Sequence, residues 1–244
     1  MPLLEVRDIA KRFGTLIVIE SLSFHVGEGE ALGIVGPNGA GKTTLLNLVA
    51  GDIRPDAGAV VFDGRDVTSM AAHARCRAGI GRTSQIPRPF EGLTTFENVL
   101  VGSTFGTGMP TTRRGSQAND LAAAALERTG MLAKANVAAG ALTLLERKRL
   151  ELARALATQP RLLLLDEIAG GLTESEVLAL VDTIKAIRAD GVSIVWIEHI
   201  VHALLRVVDR IMAIDGGRKL VEGDPHTVMN SDAVRSVYLG EILS

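Results

Sequence analysis

Eight consecutive residues, Gly36-Pro37-Asn38-Gly39-Ala40-Gly41-Lys42-Thr43, have the composition of a loop that wraps a polyphosphate. A triphosphate needs several donors aimed at its oxygens. Glycine lets the main chain curl so that successive N–H groups face inward, and Gly36, Gly39 and Gly41 are spaced to do so. Lys42 has the reach for the terminal phosphates, and Thr43 offers a hydroxyl to Mg²⁺. A helix starting there directs the positive end of its dipole at the anion. The expected contacts run from Gly36 through Pro37, Asn38, Gly39, Ala40, Gly41, Lys42 and Thr43 to Thr44, with ATP and Mg²⁺ as the bound species.

Phosphoryl transfer to water needs a second metal anchor and a group that orients the water. Leu162-Leu163-Leu164-Leu165 reads as a buried strand, and Asp166-Glu167 follows it. Open α/β sheets bind ligands at the carboxyl ends of their strands. Asp166 is therefore the candidate for holding Mg²⁺, and Glu167 for polarising the attacking water. The plainer reading is a strand leading into a helix that acids cap. A later apolar run, Ser193 to Ile197, ends at Glu198-His199, and an imidazole there can donate to a γ-phosphate. His199 is thus a candidate sensor, although a lone histidine is more often structural.

These residues require a sheet to carry them. Leu3 to Val6 and Ile17 to Val26 are rich in branched side chains and read as strands, with Gly27-Glu28-Gly29 as a turn. Ala31 to Val35 is a short apolar strand. Thr43 to Ala50 has near-helical apolar spacing and Gly51 to end it. Val60 to Val67 reads as a hairpin around Asp63-Gly64. Helical segments follow between Phe90 and Gly140, interrupted from Phe105 to Asn119 by a loop rich in Gly, Thr and Arg. Arg113-Arg114 in that loop receives no role. Then come a helix to Ala157, strand 162–165, a helix through Arg188, strand 192–197, a helix over 201–208, a hairpin over 210–222 and a short terminal helix. Helices alternating with buried strands predict a mostly parallel sheet.

Composition agrees with this. Hydrophobic residues make up 47% of the 244, but aromatics only 3%. Leu, Val, Ile and Ala therefore build the core, as in a parallel sheet covered on both faces. A net charge of −2 gives no general pull toward nucleic acid or anionic lipid. The single cysteine, Cys76, cannot close an intrachain disulfide. Glu5, Arg7, Asp8 and Lys11 leave no apolar core for a signal peptide. No apolar run approaches the ~20 residues of a membrane helix.

With the phosphate loop, Asp166-Glu167 and His199 in this order, the chain resembles the ATP-binding subunit of an ABC transporter over essentially its whole length. The resemblance implies an α/β, P-loop NTPase-type fold. Its mostly parallel sheet is flanked by helices, with an N-terminal antiparallel β subdomain and a helical insertion. It implies one ATPase domain over 1–244, with 90–155 as a helical subdomain. By the same resemblance Gln85, in Arg82-Thr83-Ser84-Gln85, contacts Mg²⁺ and water and couples to the membrane subunit. Phe13 matches the aromatic that stacks on adenine, although a single Phe near a strand is as easily core.

ABC ATPases work in pairs, each nucleotide lying between one subunit's phosphate loop and a glycine-rich signature helix of the other. Here the signature position reads Leu142-Thr143-Leu144-Leu145-Glu146 in place of Leu-Ser-Gly-Gly-Gln. Thr143 and Glu146 keep the spacing of a capping box. Leu144 and Leu145, however, carry side chains where the family has none. Thr173, in Gly170-Gly171-Leu172-Thr173, also stands where an Asp is common. The expectation is a second ATP-binding subunit of different sequence that supplies a complete signature, so that the two composite sites are unequal.

Arg82 to Phe90, Leu93 to Val99 and the ending Val234 to Glu241 resemble the branched-chain amino-acid importer branch. That implies integral membrane permease subunits as partners and, indirectly, a solute-binding protein. It implies no nucleic acid and a peripheral place on the cytoplasmic face of the inner membrane. An importer ATPase for urea, amides or aromatic acids remains an alternative, as does an ATP-binding regulatory module.

Overall fold

The structure is a computed structural model and describes residues 1–106 and 115–242. The chain opens with β1 (Leu4–Phe13) and β2 (Leu16–Val26), joined through Gly14 in the left-handed conformation. Leu4 and Val6 alternate into the core along β1, and a register shift after Val6, with Asp8 at φ 46°, lets Ile9 be buried as well. β3 (Ala31–Val35) is buried at every residue and feeds the phosphate loop. α1 (Lys42–Ala50) follows, and Gly51 ends it at φ 83° with its N–H donated to Asn47 O. β4 (Ala57–Phe62) and β5 (Arg65–Asp66) flank Asp63 and Gly64, both at positive φ, as a two-residue hairpin turn requires.

Next come α2 (Ala72–Ala78), β6 (Ile80–Arg82), α3 (Thr95–Phe105), α4 (Ser116–Arg128) and α5 (Leu144–Ala157). β7 (Leu162–Asp166) and α6 (Glu174–Ala189) follow. The chain closes with β8 (Ser193–Ile197), α7 (Val201–Leu204), β9 (Arg210–Asp215), β10 (Arg218–Gly223), α8 (Pro225–Met229) and α9 (Asp232–Ile242).

The residues divide into two compact units, 1–72 with 193–244, and 73–192. In the first, β2, β1, β4 and β5 form an antiparallel sheet in that order. In the same unit β3 runs parallel to both β8 and β9, and β10 pairs antiparallel with β9. The second unit holds the parallel pair β6 and β7, with α3, α4 and α5 packed on one another. Its apolar core includes Leu162, Leu163, Leu164 and Leu165 of β7 and Val177, Leu180, Val181, Ile184 and Ile187 of α6. Each such side chain contributes about 1.5–3 kcal/mol by leaving water, so these strands hold the residues at their ends firmly.

Several boundaries differ from the sequence expectation: the first strand, expected over Leu3 to Val6, runs on to Phe13 as β1. The interruption after α3 is shorter than Phe105 to Asn119, because Phe105 closes α3 and Ser116–Asn119 already belong to α4. Arg113 and Arg114 lie outside the described residues. The helix expected over 201–208 stops at Leu204. Beyond it the chain must turn into β9, where Asp209 exchanges backbone and side-chain bonds with Ala31 at 2.8 and 2.9 Å. Finally, α2 and β6 have no counterpart in the sequence pattern. β6 is only three residues long and centres on Gly81, a poor strand former, whose missing side chain makes room for Pro160.

Candidate functional site

In the first unit, the loop from β3 to α1 curls through left-handed glycines. Gly39 and Gly41 sit at φ 80° and 97°. A Cβ on Gly36 would lie 2.1 Å from the Ile214 carbonyl oxygen, and one on Gly41 2.8 Å from Val18 O. The curl is thus wedged between β2 and the β9–β10 turn, whose Gly217 N–H donates to Ala40 O at 3.2 Å. Lys42 is only 6% exposed. Its Nζ donates to the carbonyl oxygens of Gly36 (2.7 Å) and Pro37 (2.8 Å), which pins the ammonium inside the loop. Asn38, Gly39 and Thr43 are exposed, and Thr44 is half-buried. The first turn of α1 carries no acid to oppose an anion. Curled N–H groups, a helix start, an enclosed ammonium and an accessible hydroxyl fit a polyphosphate with its Mg²⁺.

β8 lies beside β3 with Ile34 opposite Ile197. Gly36 and His199 consequently leave the same carboxyl edge of that pair. His199 is exposed, and its backbone N–H donates to Oε1 of the buried Glu198 at 3.3 Å. Phe13 ends β1 and is 49% exposed, which removes the core alternative. The Lys11 ammonium lies 5.4 Å from its ring centroid.

The second unit brings Gln85, Asp166 and Glu167 together. β7 ends at Asp166, which is 1% exposed. Glu167 then adopts φ 46°, a conformation that costs a non-glycine residue about 1–2 kcal/mol. Strain of this kind collects at functional positions. Its carboxylate accepts a short hydrogen bond from Gln85 Nε2. Arg82, which closes β6, places Nη2 3.3 Å from Asp166 Oδ2. The sequence pattern did not give Arg82 a role. Only the adjacency of β6 and β7 reveals it, and β6 is the strand too short to be read.

In the same unit the segment Leu142–Glu146 forms a closed capping box. Thr143 N–H donates to Glu146 Oε2 at 2.9 Å, and Glu146 N–H to the Thr143 hydroxyl at 3.4 Å. The Thr143 amide, aided by Lys134, holds the Glu146 carboxyl below the ordinary glutamate range. Leu144 projects from the helix start, 43% exposed. A Cβ on Gly171, at φ 77°, would come within 3.2 Å of Leu144 Cδ2.

A sequence profile of ABC transporters matches residues 19–170, well over half of the chain. The chain belongs to the ABC transporter family. Two curated relatives carry the name high-affinity branched-chain amino acid transport ATP-binding protein. BraF of Pseudomonas aeruginosa is 35% identical and LivG of Escherichia coli K12 is 36% identical, each alignment covering 98% of both chains. An ATP-binding cassette of an ABC transporter, solved in its ADP conformation, superposes with a TM-score of 0.90 at 27% identity. That match covers 98% of this chain and 99% of the other. The protein is an ABC transporter ATP-binding subunit. Its fold is that of the P-loop ABC ATPases, a mixed sheet flanked by helices with an N-terminal antiparallel subdomain. Among the described residues no helix is long and apolar enough to cross a membrane.

Proposed function

We propose that this subunit binds ATP with Mg²⁺ and hydrolyses it to drive an importer of branched-chain or related hydrophobic amino acids. The observation that carries the reading is the glycine curl of residues 36–43 closed around the Lys42 ammonium. The names of BraF and LivG support the cargo class. Residues 1–244 act as one ATPase domain, with 90–155 as its helical part.

The roles follow from the chemistry of each group. Gly36 to Thr44 bind the phosphates, Lys42 neutralises their charge, and Thr43 and Asp166 supply hard oxygen donors of the kind Mg²⁺ takes. Mg²⁺ when bound neutralises charge on the phosphate oxygens. Glu167 accepts a proton from the attacking water. Gln85 holds that carboxylate and adds an oxygen toward the metal, His199 donates to the terminal phosphate, and Phe13 offers a face to the adenine. Exposed Ile86 and Phe90, which follow Gln85, suit contact with permease subunits at the cytoplasmic face of the inner membrane. A second, different ATP-binding subunit completes the pair, and a solute-binding protein acts through the permease.

Glu167→Gln tests the central claim. Turnover should fall by about 10²- to 10⁴-fold, while a fluorescent ATP analogue still binds. Turnover that hardly changes would show a nucleotide-binding module without this catalytic role.

A further inference from the structure

The segment Arg82-Thr83-Ser84-Gln85 grips two consecutive carboxylates by different means. Arg82 stands opposite Leu164 in the parallel β6–β7 ladder, and Thr83 N–H extends the ladder by donating to Leu164 O at 3.0 Å. The end of β6 is thereby fixed beside the end of β7. From there the Arg82 guanidinium reaches Asp166, and three residues later the Gln85 amide reaches Glu167. Asp166 is 1% exposed and the Arg82 side chain 23%. A carboxylate so far out of water is costly unless an opposite charge lies beside it. A guanidinium supplies that charge permanently. The amide grip is neutral and does not oppose an arriving cation. The guanidinium grip carries a positive charge on the very carboxylate assigned to a dication.

We infer that Arg82 is a positioning residue for the metal anchor, a counter-ion that holds Asp166 before Mg²⁺ arrives and that Mg²⁺ must work against. The inference rests on the reading of Asp166 as that anchor. Like charges repel strongly where water is scarce. Removing the guanidinium therefore leaves Asp166 less supported without metal but more attractive to it. Arg82 consequently sets the Mg²⁺ concentration at which the nucleotide is bound in its metal form.

The test is an Mg²⁺ titration of the full chain loaded with a fluorescent ATP analogue, starting from EDTA, with melting followed in parallel. In Arg82→Gln the Mg²⁺ midpoint should fall by about 3- to 10-fold. In Arg82→Lys, which keeps the charge, it should stay within about 2-fold of the parent. A residue that only braces the fold would lower the melting temperature in Arg82→Gln and leave the midpoint in place. A midpoint unchanged or raised in that variant overturns the inference.

If Arg82→Gln does not fold, the unsubstituted chain decides. Its Arg82 side-chain NMR signal, assigned by its loss in Arg82→Lys, should move when Mg²⁺ is added to nucleotide-loaded protein. A stationary signal overturns the inference equally. Asp166→Asn separates the two levels of the claim. If it leaves the midpoint where it was, Asp166 is not the anchor and both readings fall. If it raises the midpoint while Arg82→Gln does nothing, only the role of Arg82 falls.

Discussion

Gly36 and Gly39 are glycines for different reasons, and the difference can be measured. At Gly36 a Cβ would meet the backbone oxygen of Ile214 at 2.1 Å, and backbone cannot swing aside. At Gly39 a Cβ would meet nothing within 4 Å, and only the positive φ disfavours a side chain. That conformational cost is about 1–2 kcal/mol. Gly36→Ala should therefore separate the loop from β9, lower the melting temperature sharply and abolish binding of a fluorescent ATP analogue. Gly39→Ala should fold, melt slightly lower and bind with less than about 10-fold loss. Equal damage from the two would contradict this account. At this scale the phosphate loop was legible in the sequence because its chemistry is local, with glycines, a lysine and a threonine in one run. The pairs Arg82–Asp166 and Gln85–Glu167 were not, since 84 and 82 residues separate their partners.

The elements that carry these residues are specified as much by their ends as by their apolar faces. α3, α5 and α6 all begin with a threonine followed three residues later by a glutamate: Thr94 with Glu97, Thr143 with Glu146, and Thr173 with Glu176. In each the N-cap amide donates to the glutamate carboxylate and holds it below the ordinary range. Because the folded values are depressed, the stabilisation is complete above the unfolded glutamate value of about 4.3. It disappears as pH falls through the lower folded values. The melting temperature should therefore be insensitive to these groups above about pH 5 and decline below it. Thr143→Ala should cost about 1 kcal/mol at neutral pH while keeping the amide that lowers the Glu146 carboxyl. Glu146→Gln, which removes that carboxyl, should make the acid decline shallower in a pH series of thermal melts. An unchanged acid slope would mean that this box is not coupled to folding. The Thr143 box was visible as a spacing in the sequence, as were β3, α1, β7 and β8 from apolar runs closed by glycine or acid. Short pieces such as α2 and β6 were not, because tertiary packing decides them rather than periodicity, and α7 was legible in its place but not in its end at Leu204.

For the whole molecule the unusual feature is that one chain carries a phosphate loop with all its parts and a signature segment without glycines. The helix start at Thr143 is intact, but Leu144 is exposed and the Glu146 carboxylate occupies the Thr143 amide. Such an end offers an approaching phosphate a side chain and a negative charge where glycines would have offered bare N–H groups. Two copies of this chain should therefore make a poor pair, and a different ATP-binding subunit a good one. The purified chain alone should hydrolyse ATP weakly at micromolar concentration, and addition of its partner ATPase should raise the rate by an order of magnitude or more. Replacing Leu144→Gly, Leu145→Gly and Glu146→Gln together should give the chain alone a rate that climbs steeply with its own concentration. Each glycine weakens the start of α5 by up to about 1 kcal/mol, so the triple variant must be shown by its melt to remain folded. Strong hydrolysis by the unsubstituted chain alone would refute the unequal pair, because it would mean that Leu144 and Glu146 serve a partner's phosphate as well as glycine and glutamine do.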